Sequence, residues 1–247
     1  MSCPETVVLE GSVASAGAKV LVTGGYLVLE RPNTGIVLSV NAQLHSSVFP
    51  LPVSSLTSNN TDSDGSVTYP IVVFTPQRCH APLSMAVTYP APGNASGLAL
   101  SGDLAANSFV VTTLQHVLSA VQHELGADKF VAKLAGGLVV HVRGDRSFYS
   151  SLPIASQSTK SGSSGRDASN DNKACSAASS DSANAVLPLD NDDPADYTTK
   201  TGLGSSAAVV CSLVAALFAH FGFDVSAPSS PDRLLAYRYV NRTKQRI

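Results

Sequence analysis

Short apolar runs, broken by glycine and proline, predict a series of β-strands over the first ninety residues. The predicted strands cover residues 19–22, 26–29, 36–40, 44–48, 65–74 and 83–89. The first strand stops at the pair Gly24-Gly25, and residues 31–35 (RPNTG) form a turn signal between the second strand and the third. Strands that follow one another this closely favour an antiparallel or mixed sheet.

The period of the apolar positions changes between residues 109 and 125. There the apolar side chains recur every three or four residues, which predicts an amphipathic helix, and Gly126 is placed to end it. Residues 138–142 (LVVHV) predict a further strand. A second and more apolar helix follows the segment KTGLGSSAA and is predicted to end near His220.

Residues 155–185 differ in composition from the rest of the chain. They contain no Val, Leu, Ile, Met, Phe or Tyr, and consist mainly of Ser, Ala, Asn, Asp and Gly. Such a segment buries too little apolar surface to offset the entropy lost on ordering the chain. We therefore predict a disordered insertion loop here.

Composition narrows the classes of protein that the chain can represent. Its 247 residues, 44% of them hydrophobic, are enough for one large domain or two small ones. A net charge of −2, with 14% charged residues and no Trp, argues against a nucleic-acid partner. The longest apolar stretch, residues 207–219, is too short to span a bilayer, so no membrane partner is expected. No secretory signal is visible at residue 1, and four cysteines without a CxxC pair favour a reducing, intracellular compartment.

The segment GLGSSAA at the start of the second helix is the best candidate for chemistry. Gly202 and Gly204 permit a left-handed backbone and a close approach to a ligand. Ser205 or Ser206 can cap the helix, whose free N–H groups and dipole favour a bound anion. These features predict a cradle for a polyphosphate. They are equally compatible with a serine-capped core helix that follows a glycine turn.

Two other phosphate motifs fit less well. The P-loop requires a Gly-Lys pair, and the chain contains none. The dinucleotide-binding pattern GxGxxA is matched from Gly202 to Ala207, with Asp224 20 residues after Gly204. That motif follows a buried strand, whereas the polar and proline-broken stretch DNDDPADYTTK precedes Gly202.

The segment KTGLGSSAA before an apolar helix resembles the second conserved motif of the GHMP kinases, a family that includes galactokinase, homoserine kinase and mevalonate kinase. Residues 15–42, SAGAKVLVTGGYLVLERPNTGIVLSVNA, are similar to the first motif of the branch that acts on phosphorylated mevalonate, where GGYLVLE replaces the GEH of other members. The stretch NSF at residues 107–109 and GDRSFYS at residues 144–150 also resemble that branch. The resemblance covers residues 7–222.

The resemblance implies an α+β fold, namely the N-terminal GHMP-kinase domain, in which a mixed β-sheet packs with helices as in domain 2 of ribosomal protein S5. Residues 1–236 would form this ATP-binding domain, interrupted by the insertion at about 155–185, and residues 237–247 (YRYVNRTKQRI) would be an unrelated basic tail. The family sequence APGK appears here as Ala16-Gly17-Ala18-Lys19, without the proline. The family's GSGFD-like segment with its catalytic Asp, and its third glycine motif, are not found before residue 237, so we expect little kinase activity from this chain alone.

The resemblance also implies a reaction, in which ATP and 5-phosphomevalonate give ADP and 5-diphosphomevalonate on the mevalonate route to isoprenoids and sterols. ATP and Mg²⁺ would be the cofactors, and 5-phosphomevalonate the substrate. Lys19 would be the catalytic cation, and Ser205 or Ser206 would offer a hydroxyl to a phosphate or to Mg²⁺. The ATP-binding residues would be Lys200, Gly202, Leu203, Gly204, Ser205, Ser206 and Ala207. The alternative is a catalytically inactive remnant or interaction domain of such a kinase. The expected compartment is the cytoplasm, with the peroxisome as the alternative.

The remaining polar residues give weaker signals. His116 and His123 lie seven residues apart on one helix, and the other histidines are isolated, so we interpret all of them as surface or core residues rather than metal ligands. Arg143 and Arg146 lie near a strand end, where they can meet a substrate phosphate or simply face the solvent. No GxSxG motif supports hydrolysis by a Ser-His-Asp triad.

Overall fold

The computed structural model describes eight stretches of the chain. They are residues 11–51, 60–61, 65–75, 78–90, 97–134, 136–150, 199–200 and 203–244. The predicted insertion at 155–185 and the site residue Gly202 lie outside the described residues.

A mixed β-sheet forms one layer of the fold. Its strands are β1 (Ser12–Thr23), β2 (Ile36–Pro50), β3 (Asn60–Thr61), β4 (Val67–Thr75), β5 (Arg78–Tyr89), β6 (Ala99–Gly102) and β7 (Leu138–Gly144). Six of them follow the order β1-β2-β7-β4-β5-β6, and the short β3 pairs with β4. The β4–β7 pair is parallel and the other pairs are antiparallel. A separate ribbon joins β8 (Tyr149–Ser150) to β9 (Thr199–Lys200).

Four helices form the second layer. They are α1 (Ser108–Leu125), α2 (Ala127–Leu134), α3 (Ser205–His220) and α4 (Pro231–Lys244). Burial alternates along the central strands, so that Tyr69, Ile71 and Val73 of β4 are buried while the residues between them are partly exposed. One sheet face therefore packs in the core with the helices, and we call the opposite face, which points away from the four described helices, the open face. The expected architecture, a mixed β-sheet packed with helices, is therefore confirmed.

The first predicted helix is confirmed at both ends. Asn107 caps α1, because its side-chain oxygen accepts a hydrogen bond from the Val110 N–H at 3.3 Å. Gly126 ends the helix with a positive φ of 78°, a conformation that glycine adopts without steric cost. The structure adds α2 directly after this glycine, an element that the sequence analysis did not predict.

Helix α3 lies at the centre of the helical layer. It contacts β1 and β2 in the sheet and α1 and α4 beside it. Leu213, Val214 and Leu217 are 0% exposed. The buried hydroxyls of Ser46 in β2 and Ser212 in α3 lie 2.8 Å apart, and this hydrogen bond satisfies two polar groups that would otherwise be costly to bury.

Two strand predictions were wrong in detail. Residues 26–29 were predicted to be a strand, but Gly25–Leu29 is a 3₁₀ helix. Gly24 and Gly25 have φ values of 114° and 48°, so the backbone turns there, and Val28 then packs on the backbone of Gly24 and Gly35. The two strands predicted at 36–40 and 44–48 form one strand, β2, which pairs with β1 on both sides of a register shift between Ser39 and Gln43.

Helix α4 continues past residue 236, whereas an unrelated basic tail was expected to begin at residue 237. It continues to Lys244, and both Ala236 and Val240 are buried. Residues 237–244 therefore pack with the other helices, whereas the division of the chain into two parts remains a prediction. Among the described helices, none is long and apolar enough to cross a membrane.

We predict that Leu213→Ala lowers the free energy of unfolding by about 2–5 kcal/mol, because it opens a cavity beneath α3. Leu234→Ala is the matched control, since Leu234 is 55% exposed on α4 and its truncation should change stability by only about 0.5 kcal/mol. Urea denaturation of the three proteins measures both effects. Equal losses for the two variants would contradict the central position of α3.

Candidate functional site

The start of α3 carries the candidate site. Gly204 occupies the N-cap position with φ 68° and ψ 35°, a left-handed conformation, and the helix begins at Ser205. The sequence suggested Ser205 or Ser206 as the cap, and this was wrong. Both serines lie in the first helical turn, and no side chain of the described residues makes a capping hydrogen bond to the helix start. The left-handed glycine takes the cap position because the chain must turn sharply there.

An uncapped helix start favours an anion. The first N–H groups of an α-helix lack acceptors within the helix, and the helix dipole adds partial positive charge at the same end. No acidic residue lies in the first turn of α3. Ser205, Ser206 and Ala207 are all partly exposed, so that their backbone is within reach of a ligand. This end of α3 can therefore accept a phosphate group.

Lys19 lies beside this helix start, as the sequence predicted. Its backbone N–H donates a hydrogen bond to the Leu203 carbonyl at 3.2 Å. A Cβ placed on Gly204 would lie 3.1 Å from the Lys19 carbonyl oxygen, 3.2 Å from its Cγ and 3.9 Å from its Cε. The exposed Lys19 side chain thus runs along Gly204, and its stem occupies the space that any larger residue at position 204 would need.

A break in strand pairing sets the direction of Lys19. The β1–β2 register is regular up to Gly17, which pairs with Gln43, and it shifts before Lys19 pairs with Ser39. Ala18, between them, is 1% exposed and belongs to the core. The extra residues lie on β2, where residues 40–42 stand opposite Ala18 alone, and irregularities of this kind are common beside binding sites.

The other predicted site residues are less closely tied to this helix start. Lys200 lies in β9, where its backbone pairs with Tyr149, and its side chain is outside the described part. Arg143 on β7 is the cross-strand partner of His45, and Arg146 lies in the short 3₁₀ helix Arg146–Phe148. Phosphate binding by either arginine remains a prediction.

Two histidines have altered proton affinities. Burial, and then the charge of Arg143, lower the pKa of His141, which stacks on Phe74 on the open face at 4.5 Å between ring centroids. Burial, and then Lys133, lower the pKa of His220 at the end of α3. Within the described residues, no group of three or more His, Cys, Asp or Glu side chains could hold a metal ion.

Sequence reasoning missed a cluster of Ser15, His45 and Asp145. The Ser15 hydroxyl lies 2.6 Å from His45 Nδ1, and His45 Nε2 lies 3.4 Å from Asp145 Oδ1. The three residues are separated by 30 and 100 positions along the chain. The only signal for the cluster is the pairing of β1, β2 and β7, which no local pattern predicts.

Fold and site define a mixed α/β protein with an anion-receptive helix start next to a lysine. No protein-family profile matches the chain. It is 33% identical over 232 residues to "Phosphomevalonate kinase, peroxisomal" of Arabidopsis thaliana. The aligned region covers 87% of this chain and 41% of that protein. It is 27% identical over 222 residues to phosphomevalonate kinase erg8 of Aspergillus fumigatus, covering 83% of this chain and 40% of the relative.

A third relative, phosphomevalonate kinase ERG8 of Gibberella zeae, is 28% identical over 212 residues, or 84% of this chain and 39% of its own length. The chain is thus a sequence relative of phosphomevalonate kinases and spans about two fifths of their length. Among solved structures, the Lin0012 protein of Listeria innocua aligns with a TM-score of 0.43 and 13% identity, over 95% of this chain and 42% of that one. So distant a likeness carries no argument.

We predict that Gly204→Ala both destabilises the protein and displaces Lys19. The left-handed backbone costs an alanine about 1–2 kcal/mol, and the new methyl group would also press on the Lys19 carbonyl and stem. Gly222→Ala is the matched control, because Gly222 ends α3 in a Schellman pattern with a positive φ of 94°, and its new methyl group would meet nothing within 4 Å. Thermal denaturation and the NMR resonances of Lys19 measure the two effects.

The control should lose stability without moving the Lys19 resonances. If Gly204→Ala and Gly222→Ala changed stability equally and both left Lys19 unperturbed, the close contact between Gly204 and Lys19 would be refuted.

Proposed function

We propose that this chain binds the phosphates of ATP at the start of α3 and serves as the nucleotide-binding part of a kinase that converts 5-phosphomevalonate to 5-diphosphomevalonate. The observation that carries the proposal is the position of Lys19 beside the uncapped, glycine-led start of α3. The similarity to phosphomevalonate kinases over most of the chain supports it.

The residues at the helix start have complementary roles in this proposal. The backbone N–H groups of Ser205, Ser206 and Ala207 hold phosphate oxygens, while Gly204 lets the ligand approach the backbone. Lys19 neutralises charge on the nucleotide phosphates held at the helix start and, during transfer, on the acceptor or the transferring group. Leu203 and Lys200 contribute to the same site, with Lys200 as a second cation, and Gly202 is assigned to it by the family resemblance.

The chemistry needs little more than position and charge. Phosphoryl transfer is catalysed mostly by alignment and electrostatic stabilisation. The acceptor is a phosphate, whose second pKa is about 6, so it is largely ionised at neutral pH and needs no strong base. The main barrier is the approach of two anions, which Lys19 lowers.

Magnesium fits the same site through hard oxygen ligands. The hydroxyls of Ser205 and Ser206 lie in the first turn of α3, and Mg²⁺ prefers oxygen ligands combined with substrate phosphates. When bound, Mg²⁺ neutralises phosphate charge and orients the phosphoryl group. The two serines would hold it against the phosphates, and Lys19 would approach from β1.

The proposal also includes the fold family of the domain and the compartment of the protein. We infer that the sheet and helices form an N-terminal GHMP-kinase domain, similar to domain 2 of ribosomal protein S5, over residues 1–236. One relative is named as peroxisomal. We infer the cytoplasm as the compartment of this protein, with the peroxisome as the alternative.

We predict that Lys19→Ala weakens binding of ADP to the chain by about ten- to a hundredfold. A hydrogen bond to a charged group contributes about 1.5–3 kcal/mol, which corresponds to that change in Kd. Lys129→Ala is the control, since Lys129 is an exposed lysine on α2. Isothermal titration calorimetry with ADP and Mg²⁺ measures the three affinities.

Saturable binding that survives Lys129→Ala and weakens in Lys19→Ala supports the proposal. The absence of ADP binding to the unmodified chain, or equal affinities in all three proteins, would contradict it.

The substrate is tested separately by calorimetry with 5-phosphomevalonate against mevalonate. Tighter binding of the phosphorylated compound is expected, and equal binding would count against the assigned acceptor.

A further inference from the structure

A line of three polar side chains joins β1 to the end of β7. Ser15 and His45 are cross-strand partners, with Ser15 Oγ 2.6 Å from His45 Nδ1. On the other side of the ring, His45 Nε2 lies 3.4 Å from Asp145 Oδ1. In the tautomer that carries its proton on Nε2, the ring donates to the carboxylate, and Nδ1 accepts a hydrogen bond from the Ser15 hydroxyl. We call this set the Ser15–His45–Asp145 brace.

Two hydrogen bonds tie Asp145, at one end of the brace, to the backbone of Gln43. The Gln43 N–H donates a hydrogen bond to Asp145 Oδ2, and the Asp145 N–H donates to the Gln43 carbonyl at 2.9 Å. Gln43 is also the partner of Gly17, the last regular pair in β1 before the bulge. Asp145 therefore holds β2 at the position where the β1–β2 register changes.

Lys19 lies immediately beyond that register change. Only Ala18 separates it from Gly17, and its backbone is held on the other side by the Leu203 carbonyl. The short β1 segment at the register change is thus fixed from both ends, by the brace before it and by the start of α3 after it. Loosening either end changes where the Lys19 side chain points.

We propose that Ser15, His45 and Asp145 are positioning residues for Lys19. They hold β1 against β2 at the register change, so that the ammonium group of Lys19 faces the start of α3. Ser15 lies within a paired strand rather than at a sharp turn, which favours this role over that of a nucleophile. The proposal rests on the proposed function and adds that phosphate affinity depends on side chains that do not touch the phosphate.

The first test follows the Lys19 amide by hydrogen exchange. His45→Leu removes both hydrogen bonds of the ring, and it should speed exchange of the Lys19 N–H by about three- to tenfold. His45→Gln can still donate and accept, and should restore most of the protection. His123→Leu is the control, because His123 is exposed on α1.

Faster exchange at Lys19 with unchanged exchange at the buried amides of Val140 and Leu213 supports local positioning. An unchanged Lys19 amide overturns the proposal, and so does a uniform rise at all amides, since that would indicate general destabilisation.

The second test is a double-mutant cycle for ADP affinity. His45→Leu should weaken ADP binding by about three- to tenfold when Lys19 is present, and should have no further effect in a Lys19→Ala background. Equal losses in both backgrounds would show that His45 does not act through Lys19, and would overturn the proposal. If the unmodified chain does not bind ADP, the proposed function fails, while the exchange experiment still decides whether the brace holds Lys19.

Discussion

The burial of α3 between the sheet and two other helices is the constraint on which the candidate site depends. The apolar side chains of α3 are fully enclosed along its middle and second half, at Leu213, Val214 and Leu217. Protein interiors are packed so closely that a helix in this position cannot slide or rotate without opening cavities. Its first turn is therefore a fixed point in the molecule, although that turn is itself partly exposed.

Strand β1 places a lysine beside this fixed helix start. The hydrogen bond from Lys19 to Leu203 ties β1 to the turn before α3. Gly204 lets the Lys19 stem pass at van der Waals distance, which a larger residue would prevent. The positive end of the helix dipole and the lysine then act on the same small region, and both favour an anion. Apolar packing thus sets the position of the polar groups, and glycine allows them to approach.

Local sequence patterns predicted the features that local interactions control. The periodicity of residues 109–125 and the glycine after it located α1, whose cap at Asn107 and end at Gly126 are made by near neighbours in sequence. The segment GLGSSAA located the start of α3 in the same way. The serine cap was predicted wrongly, since nothing in the pattern shows that Gly204 takes the left-handed cap position.

Features that depend on tertiary pairing could not be predicted in this way. The Ser15–His45–Asp145 brace joins residues of β1 and β2 to the residue that follows β7, and only the pairing of those three strands brings them together. The apolar residues of Gly25–Leu29 suggested a strand, but the two glycines at its start turn the backbone, and Val28 gains its packing from Gly35 across the hairpin. Similarly, α4 has a weak apolar pattern and is buried only at a few positions, among them Ala236 and Val240.

The most direct test of the account is an NMR titration of the isotope-labelled chain with a non-hydrolysable ATP analogue and Mg²⁺. If the phosphates bind at the start of α3, the largest amide shifts will fall on Ser205, Ser206, Ala207 and Lys19, and the same titration with adenosine will leave these amides nearly unchanged. Shifts centred on α2 or β6, or equal shifts with adenosine and with the triphosphate, would contradict the assignment of this helix start as the phosphate site.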